Sequence, residues 1–294
     1  MRLDHLRLLE PAPGILAWYD GRIAGLRAFE GPNWVDDGAL SLGIAAYAVC
    51  AGRRALVYDS HISVPHGARM RADLEARGFF DIAVLLSHHH LDHIAGTAAF
   101  EGCEILAGAL TAQHLARDKP AIEAGTLSGP PAIDPLILPD RVLEGTSRFD
   151  LDGRDLEILP FEIHSGDGML VWLAEARILL AGDALEDPIT YVAEPDRLAT
   201  HLDELDRLAA LRPERILPNH GDPARIASGG YGPGLIDATR RYTAWLAGLP
   251  GDPGRAAQPL HAILGPDLDA GHIHWFAAYE AVHRGNIDKV LGRG

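Results

Sequence analysis

Four imidazoles and a carboxylate crowd into Ser87-His88-His89-His90-Leu91-Asp92-His93, directly after the apolar run Ile82-Ala83-Val84-Leu85-Leu86. Neutral imidazoles and carboxylates at this density suit a borderline cation such as zinc. In an extended chain alternate side chains share a side, so the spacing predicts that His88, His90 and Asp92 converge while His89 looks away. A helix opening at Asp92-His93 would swing His93 back toward the same point. The competing reading is a solvated His-rich loop, and the apolar strand that delivers the cluster weighs against it.

Three further segments share one layout. Leu156 to Ile163 leads to His164, Arg177 to Gly182 leads to Asp183, and Arg215 to Asn219 leads to His220-Gly221-Asp222. Each is an apolar, strand-like run that stops at a His or Asp beside a glycine turn, as expected where strand ends carry a site on a rigid scaffold. Any one alone reads as a structural residue; in series they point to one centre.

The pattern His88-x-His90-x-Asp92-His93, then His164, Asp183 and His220, resembles the metallo-β-lactamase superfamily in the right order from about residue 42 to 220. The resemblance implies an α+β fold, a four-layer αββα sandwich with the site at one edge of its paired sheets. By position it implies that His88, His90 and His164 hold a first metal and Asp92, His93 and His220 a second, with Asp183 bridging. The implied cofactor is a pair of zinc ions, with iron or manganese as alternatives, about 3.5–4 Å apart. An Asp at the bridging position resembles the hydroxyacylglutathione hydrolase and lactonase branches. The activity implied is therefore hydrolysis of a carbonyl ester, lactone or thioester, by attack of a water acidified at the metals. Asp92 would carry the proton, and Tyr191, shortly after Asp183, is a candidate oxyanion or leaving-group donor or else a packing residue of its loop. β-Lactam opening at the same site ranks lower, and an iron-dependent oxidoreductase is the reading of a different class. Two departures bear on substrate choice. Glu162-Ile163-His164-Ser165-Gly166-Asp167-Gly168 replaces the family's Pro-Gly-His turn, and Asp59-Ser60-His61 replaces its Asp-Thr-Gly, with Asp59 resembling the carboxylate that orients ligands.

The elements that must position these groups fit a chain of 294 residues with 47% apolar content, enough to bury a sizeable core. We expect one domain over 1–294, with a Pro/Gly-rich insertion at about 119–139 and a C-terminal helical extension at about 228–294. Hairpins are predicted at Asp20-Gly21, Ala51-Gly52 and Asp152-Gly153, and helices over 65–77, 110–116, 195–211, 235–249 and 272–290. Trp34 reads equally as sheet-rim packing or a pocket wall, and His61 as a packing residue. The insertion's apolar residues leave three roles open: cover for the cleft, a homodimer contact, or a crossover between half-domains.

A formal charge of −15 without any Lys/Arg run excludes a phosphate track, so no nucleic-acid partner is expected and the partner is a small-molecule substrate. Cys50 and Cys103 in apolar contexts read as buried thiols rather than a disulfide. The N-terminus lacks a signal-peptide pattern and no run is long enough to span a bilayer, which gives a cytoplasmic expectation with no membrane partner.

Overall fold

The computed structural model of the chain describes residues 1–293. Among the described residues, twelve strands make two sheets. The first runs in spatial order β1 (Arg7–Ala12), β2 (Ile15–Asp20), β3 (Ile44–Ala51), β4 (Arg54–Tyr58), β5 (Asp81–Leu86), β6 (Glu104–Gly108) and β7 (Arg141–Leu143). The second holds β8 (Ser147–Leu151), β9 (Arg154–Ile163), β10 (Ser165–Leu173), β11 (Ile178–Gly182) and β12 (Arg215–Pro218), in reverse spatial order. Helices α1 (Val64–Ala76), α2 (Leu91–Ile94) and α3 (Ala109–Glu123) follow strands of the first sheet. The helices α4 (Leu198–Ala210), α5 (Pro223–Ala227), α6 (Gly234–Ala247), α7 (Leu260–Asp269) and α8 (Tyr279–Val290) belong to the second half.

The period-two pattern sorts each strand of the first sheet between two cores. Along β3, Ala45, Tyr47 and Val49 face the second sheet, while Ala46, Ala48 and Cys50 pack with Met70 and Leu74 of α1 and Leu115 of α3. β5 divides the same way, with Leu85 inward and Ile82, Val84 and Leu86 outward. The second sheet buries its far side under α4 and α6, through Leu205, Leu208, Leu235 and Leu246. Nearly continuous apolar strands are what two covered faces require. The result is the four-layer α+β sandwich.

Three tyrosines on the inner face of the first sheet lock the sheets together. Tyr19, Tyr47 and Tyr58 donate to the carbonyls of Gly221, Pro218 and Met169 at 2.9, 2.5 and 2.7 Å. Burial raises all three phenols, Tyr19 to about 12, so they remain donors. Gly182, at φ +55°, lies where the sheets approach closely: a Cβ there would come within 2.8 Å of the Tyr58 hydroxyl.

Several boundaries differ from the sequence expectation. No strand follows Asp20-Gly21; the hairpin turns earlier, between β1 and β2, and Arg22 instead reaches back to donate to Leu42 O and Asp187 O. α3 runs on through Pro120 to Glu123, so the first part of the 119–139 insertion is helix. The rest crosses to the edge strand β7, burying Ile133 and Leu136. The helix expected at 272–290 begins only at Tyr279, since residues 272–278 serve as a loop in which His274 N–H donates to Asp187. α7 was hidden in sequence by Gly265 and Pro266. The C-terminal extension does not start cleanly at 228, because Tyr231 pairs with Ile216 of β12. Cys50 and Cys103 are free thiols. No described helix is long and apolar enough to cross a membrane.

Candidate metal centre

The strand ends deliver seven side chains to one edge of the sandwich. His88 to His93 follow β5, His164 is the tip between β9 and β10, Asp183 follows β11 and His220 follows β12. The carboxylate Oδ2 of Asp183 is the common point. It lies 3.7 Å from His88 Nε2 and His164 Nε2, 3.2 Å from His93 Nε2 and 3.5 Å from His220 Nε2. His90 Nδ1 faces His164 Nε2 at 3.0 Å, and Asp92 lies 3.3 Å from His220 Nε2 and 3.5 Å from His93 Nε2. The donors fall into two groups, His88/His90/His164/Asp183 and Asp92/His93/His220, each within 4.8 Å of one another.

Convergence does not come from strand alternation, because β5 ends at Leu86. A loop carries His88 to His90, and α2 turns Asp92 and His93 inward. His164 sits at φ +71°, a left-handed position that non-glycine residues seldom adopt and that fits a strained functional turn.

Outer partners fix the ring orientations. His88 Nδ1–H donates to Ser87 Oγ at 2.9 Å, His93 Nδ1–H to Asp59 at 2.9 Å, His164 Nδ1–H to Tyr191 O at 2.8 Å and His220 Nδ1–H to Gly43 O at 2.7 Å. Each therefore points its Nε2 at the centre, the arrangement that prepares imidazole for a cation. Gly43 reaches this position at φ +75°, where a Cβ would strike the Tyr19 hydroxyl. Asp59 also accepts from Ser87 N–H, Ser87 Oγ–H and the Asn219 amide.

The residues fit a cation on two counts. Buried His88 Nε2 and Asp183 Oδ1 have no hydrogen-bond partner, although orphaned buried polar atoms are rare. The electrostatics divide the imidazoles: burial lowers His93 and His220, but the Asp183 and Asp92 carboxylates outweigh it and raise both. Burial, with His93 and His90 nearby, holds His88 well below the ordinary imidazole range, and burial beside His164 pushes His90 down to about 3. Burial opposes ionisation of Asp183, but His93 and His220 outweigh it and keep the carboxylate charged.

A cleft of about 520 Å³ opens over these groups. Trp34, Ala39, Leu42, Leu91 and Leu127 form its apolar side, and Tyr191 and Glu186 its floor. Trp34 is thus a wall residue, and its indole N–H also ties the insertion by donating to Pro131 O at 2.9 Å. Arg117 and Asp118 pair on the rim. His61 is fully buried, stacked on His66 at 4.5 Å. Glu186, which sequence reasoning missed, is buried between Tyr279 O–H and Tyr191 N–H, and burial beside Asp183 pushes it up to about 8. Only its place three residues after Asp183 could have drawn notice.

The family model described as the metallo-β-lactamase superfamily matches residues 42–220, and the chain belongs to that superfamily. Within it, the chain is 30% identical over 135 residues to a hydroxyacylglutathione hydrolase of Ruegeria pomeroyi, a match covering 46% of this chain and 44% of that protein. The chain thus matches less than half the length of this curated relative. Solved folds similar to it include a metallo-β-lactamase from Pontibacter korlensis (TM-score 0.62, 15% identity, 82% of this chain and 99% of the other). Another is the DIM-1 metallo-β-lactamase exposed to ceftazidime (TM-score 0.61, 18% identity, 83% and 99%).

Proposed function

We propose that the chain is a metal-dependent hydrolase that opens a carbonyl ester, lactone or thioester with two zinc ions. The observation that carries this reading is the position of Asp183 Oδ2, within 3.2–3.7 Å of imidazole nitrogens from both donor groups. His88, His90 and His164 would hold one cation and Asp92, His93 and His220 the other, with Asp183 shared. When bound, such a pair supplies a polarising charge for a carbonyl oxygen and lowers the pKa of water toward about 7.

The chain's own residues do the rest. Asp92 is the ligand carboxylate open to the cleft, its side chain 18% exposed against 5% for Asp183. It can therefore accept the proton of the attacking water at its carboxylate and return it to the leaving group. The apolar wall from Trp34 to Leu127 takes up an uncharged acyl or alkyl portion and keeps bulk water from it. Support for the ester, lactone or thioester class comes from the Asp at the shared position and from the hydroxyacylglutathione hydrolase relative.

Aryl esters, acyl-homoserine lactones, glutathione thioesters and nitrocefin, assayed with metal-depleted and zinc-reloaded protein, test the reading. Turnover is expected only after reloading. Asp92→Asn should abolish it while the fold persists by circular dichroism; full activity in that variant would refute the proton-transfer role. Preference for nitrocefin would move the assignment to β-lactam opening.

A further inference from the structure

The chain contains only two lysines, Lys119 and Lys289, among 26 lysines and arginines. Lys119 pairs with Glu123 near the surface. Lys289 lies on α8, beyond the residues of the family match, and turns toward the loop after Asp183. Its ammonium donates to the Tyr191 phenol oxygen and, at 3.0 Å, to the Val192 carbonyl, and it stands 3.8 Å from the centre of the Tyr191 ring. Asn286, one turn earlier on α8, grips the same loop. Its amide donates to Thr190 O at 3.0 Å, and its carbonyl oxygen accepts Val192 N–H at 2.9 Å. The loop is pinned on both sides of Tyr191.

An ammonium has three protons and no lone pair, so in this contact the phenol oxygen must accept. The phenol's own hydrogen is left over, and it meets no acceptor among the described residues. Tyr191 lines the cleft, its ring centre 6.4 Å from that of His90 and 5.6 Å from that of His164. A hydrogen bond accepted from a cation also polarises the O–H and strengthens it as a donor. We propose that Lys289 is a positioning residue for Tyr191, fixing the phenol as a hydrogen-bond donor to the substrate oxygen that gains charge in the reaction. In its catalytic half this inference rests on the hydrolase reading above. The C-terminal helix then completes a site whose other parts all come from earlier in the chain.

Two measurements test the proposal. In metal-free protein labelled with ¹⁵N-lysine, Lys119 and Lys289 supply the side-chain ammonium signals. Tyr191→Phe is expected to shift the Lys289 signal and spare that of Lys119; an unmoved spectrum overturns the contact, whatever the enzyme turns over. In the zinc-reloaded enzyme, with a substrate chosen by the panel, Tyr191→Phe is expected to lower kcat roughly 10²-fold with little change in KM. Lys289→Met should cost about tenfold, Lys289→Arg should recover most of it, and the double variant should be no slower than Tyr191→Phe alone. Independent, multiplying effects, or a Lys289→Met that lowers only the melting temperature, overturn the positioning role. A wild type inert to every carbonyl substrate overturns the hydrolase reading instead, and the labelling experiment still decides the contact.

Discussion

Two groups of histidines and aspartates lie side by side in this protein, and they are chemically alike but differ in the state of their carboxylates. The Asp183-centred set leaves buried acceptors bare, with His88 Nε2 and Asp183 Oδ1 lacking partners. The neighbouring His89, His114 and Asp167 also bring donor atoms within 4.8 Å of one another. There, however, Asp167 is saturated, although His114 Nδ1 is also a buried nitrogen without a partner. His89 N–H and His89 Nδ1–H donate to Asp167 at 3.0 and 2.9 Å, Thr111 Oγ1–H at 3.0 Å and Ser165 Oγ–H at 2.8 Å. Proximity of ligand types therefore does not define a cation site; a carboxylate oxygen left without a proton among them does. His201 supplies the complementary case, a buried imidazole whose Nε2 has no partner and on which Asp196 and Glu204 act only through space, without an ion pair. An orphan imidazole nitrogen matters when an unpaired carboxylate oxygen converges with it.

Experiments can break this contrast, and the largest effect is expected at its centre. Asp183→Ala removes the carboxylate that lies within 3.2–3.7 Å of imidazoles from both donor groups. Bound zinc, measured by elemental analysis after dialysis, should fall from two ions to less than one per chain, with turnover down at least about 10³-fold. Retention of both ions would show that Asp183 is not shared. Asp167→Ala should instead leave zinc content unchanged and destabilise the fold by about 1–3 kcal/mol, because buried donors lose their acceptor. Loss of a third ion in that variant would make the second group a cation site and end the distinction.

The smallest effect concerns His201, which burial, with His164 nearby, lowers to about 4 from the ordinary 6.5. Below about pH 6.5 the unfolded chain takes up this proton and the fold does not, so stability falls as pH drops from 6.5 toward 4 and is untouched above. In metal-free protein, His201→Leu should remove up to about 2 kcal/mol of that acid loss in urea titrations at pH 7 and pH 4.5. Identical pH slopes for variant and wild type would show that His201 is already protonated in the fold.

What could be read from the chain follows from distance along it. His88, His90, Asp92 and His93 lie within one short run, 88–93, so their residue types alone announce the chemistry. His164, Asp183 and His220 were legible because apolar strand runs end at each of them. The αββα layering was implied by the family resemblance, and the apolar strands, which require two covered faces, are compatible with it.

Other features had no local sign. α7 was obscured because glycine and proline inside it mimic a break. Residues 272–278 imitated a helix, yet their backbone is needed at Asp187. Tyr58 and Met169 are 111 positions apart and Lys289 and Tyr191 are 98 apart, and nothing near either partner marks the other. The seven donors and the strands that carry them were determined by sequence, since covalent neighbours and side-chain period act over a few residues. Which nitrogen each imidazole presents, how the loop after Asp183 is held and whether a carboxylate is bare or saturated were decided only by tertiary structure. Those properties depend on hydrogen-bond partners that folding alone brings together.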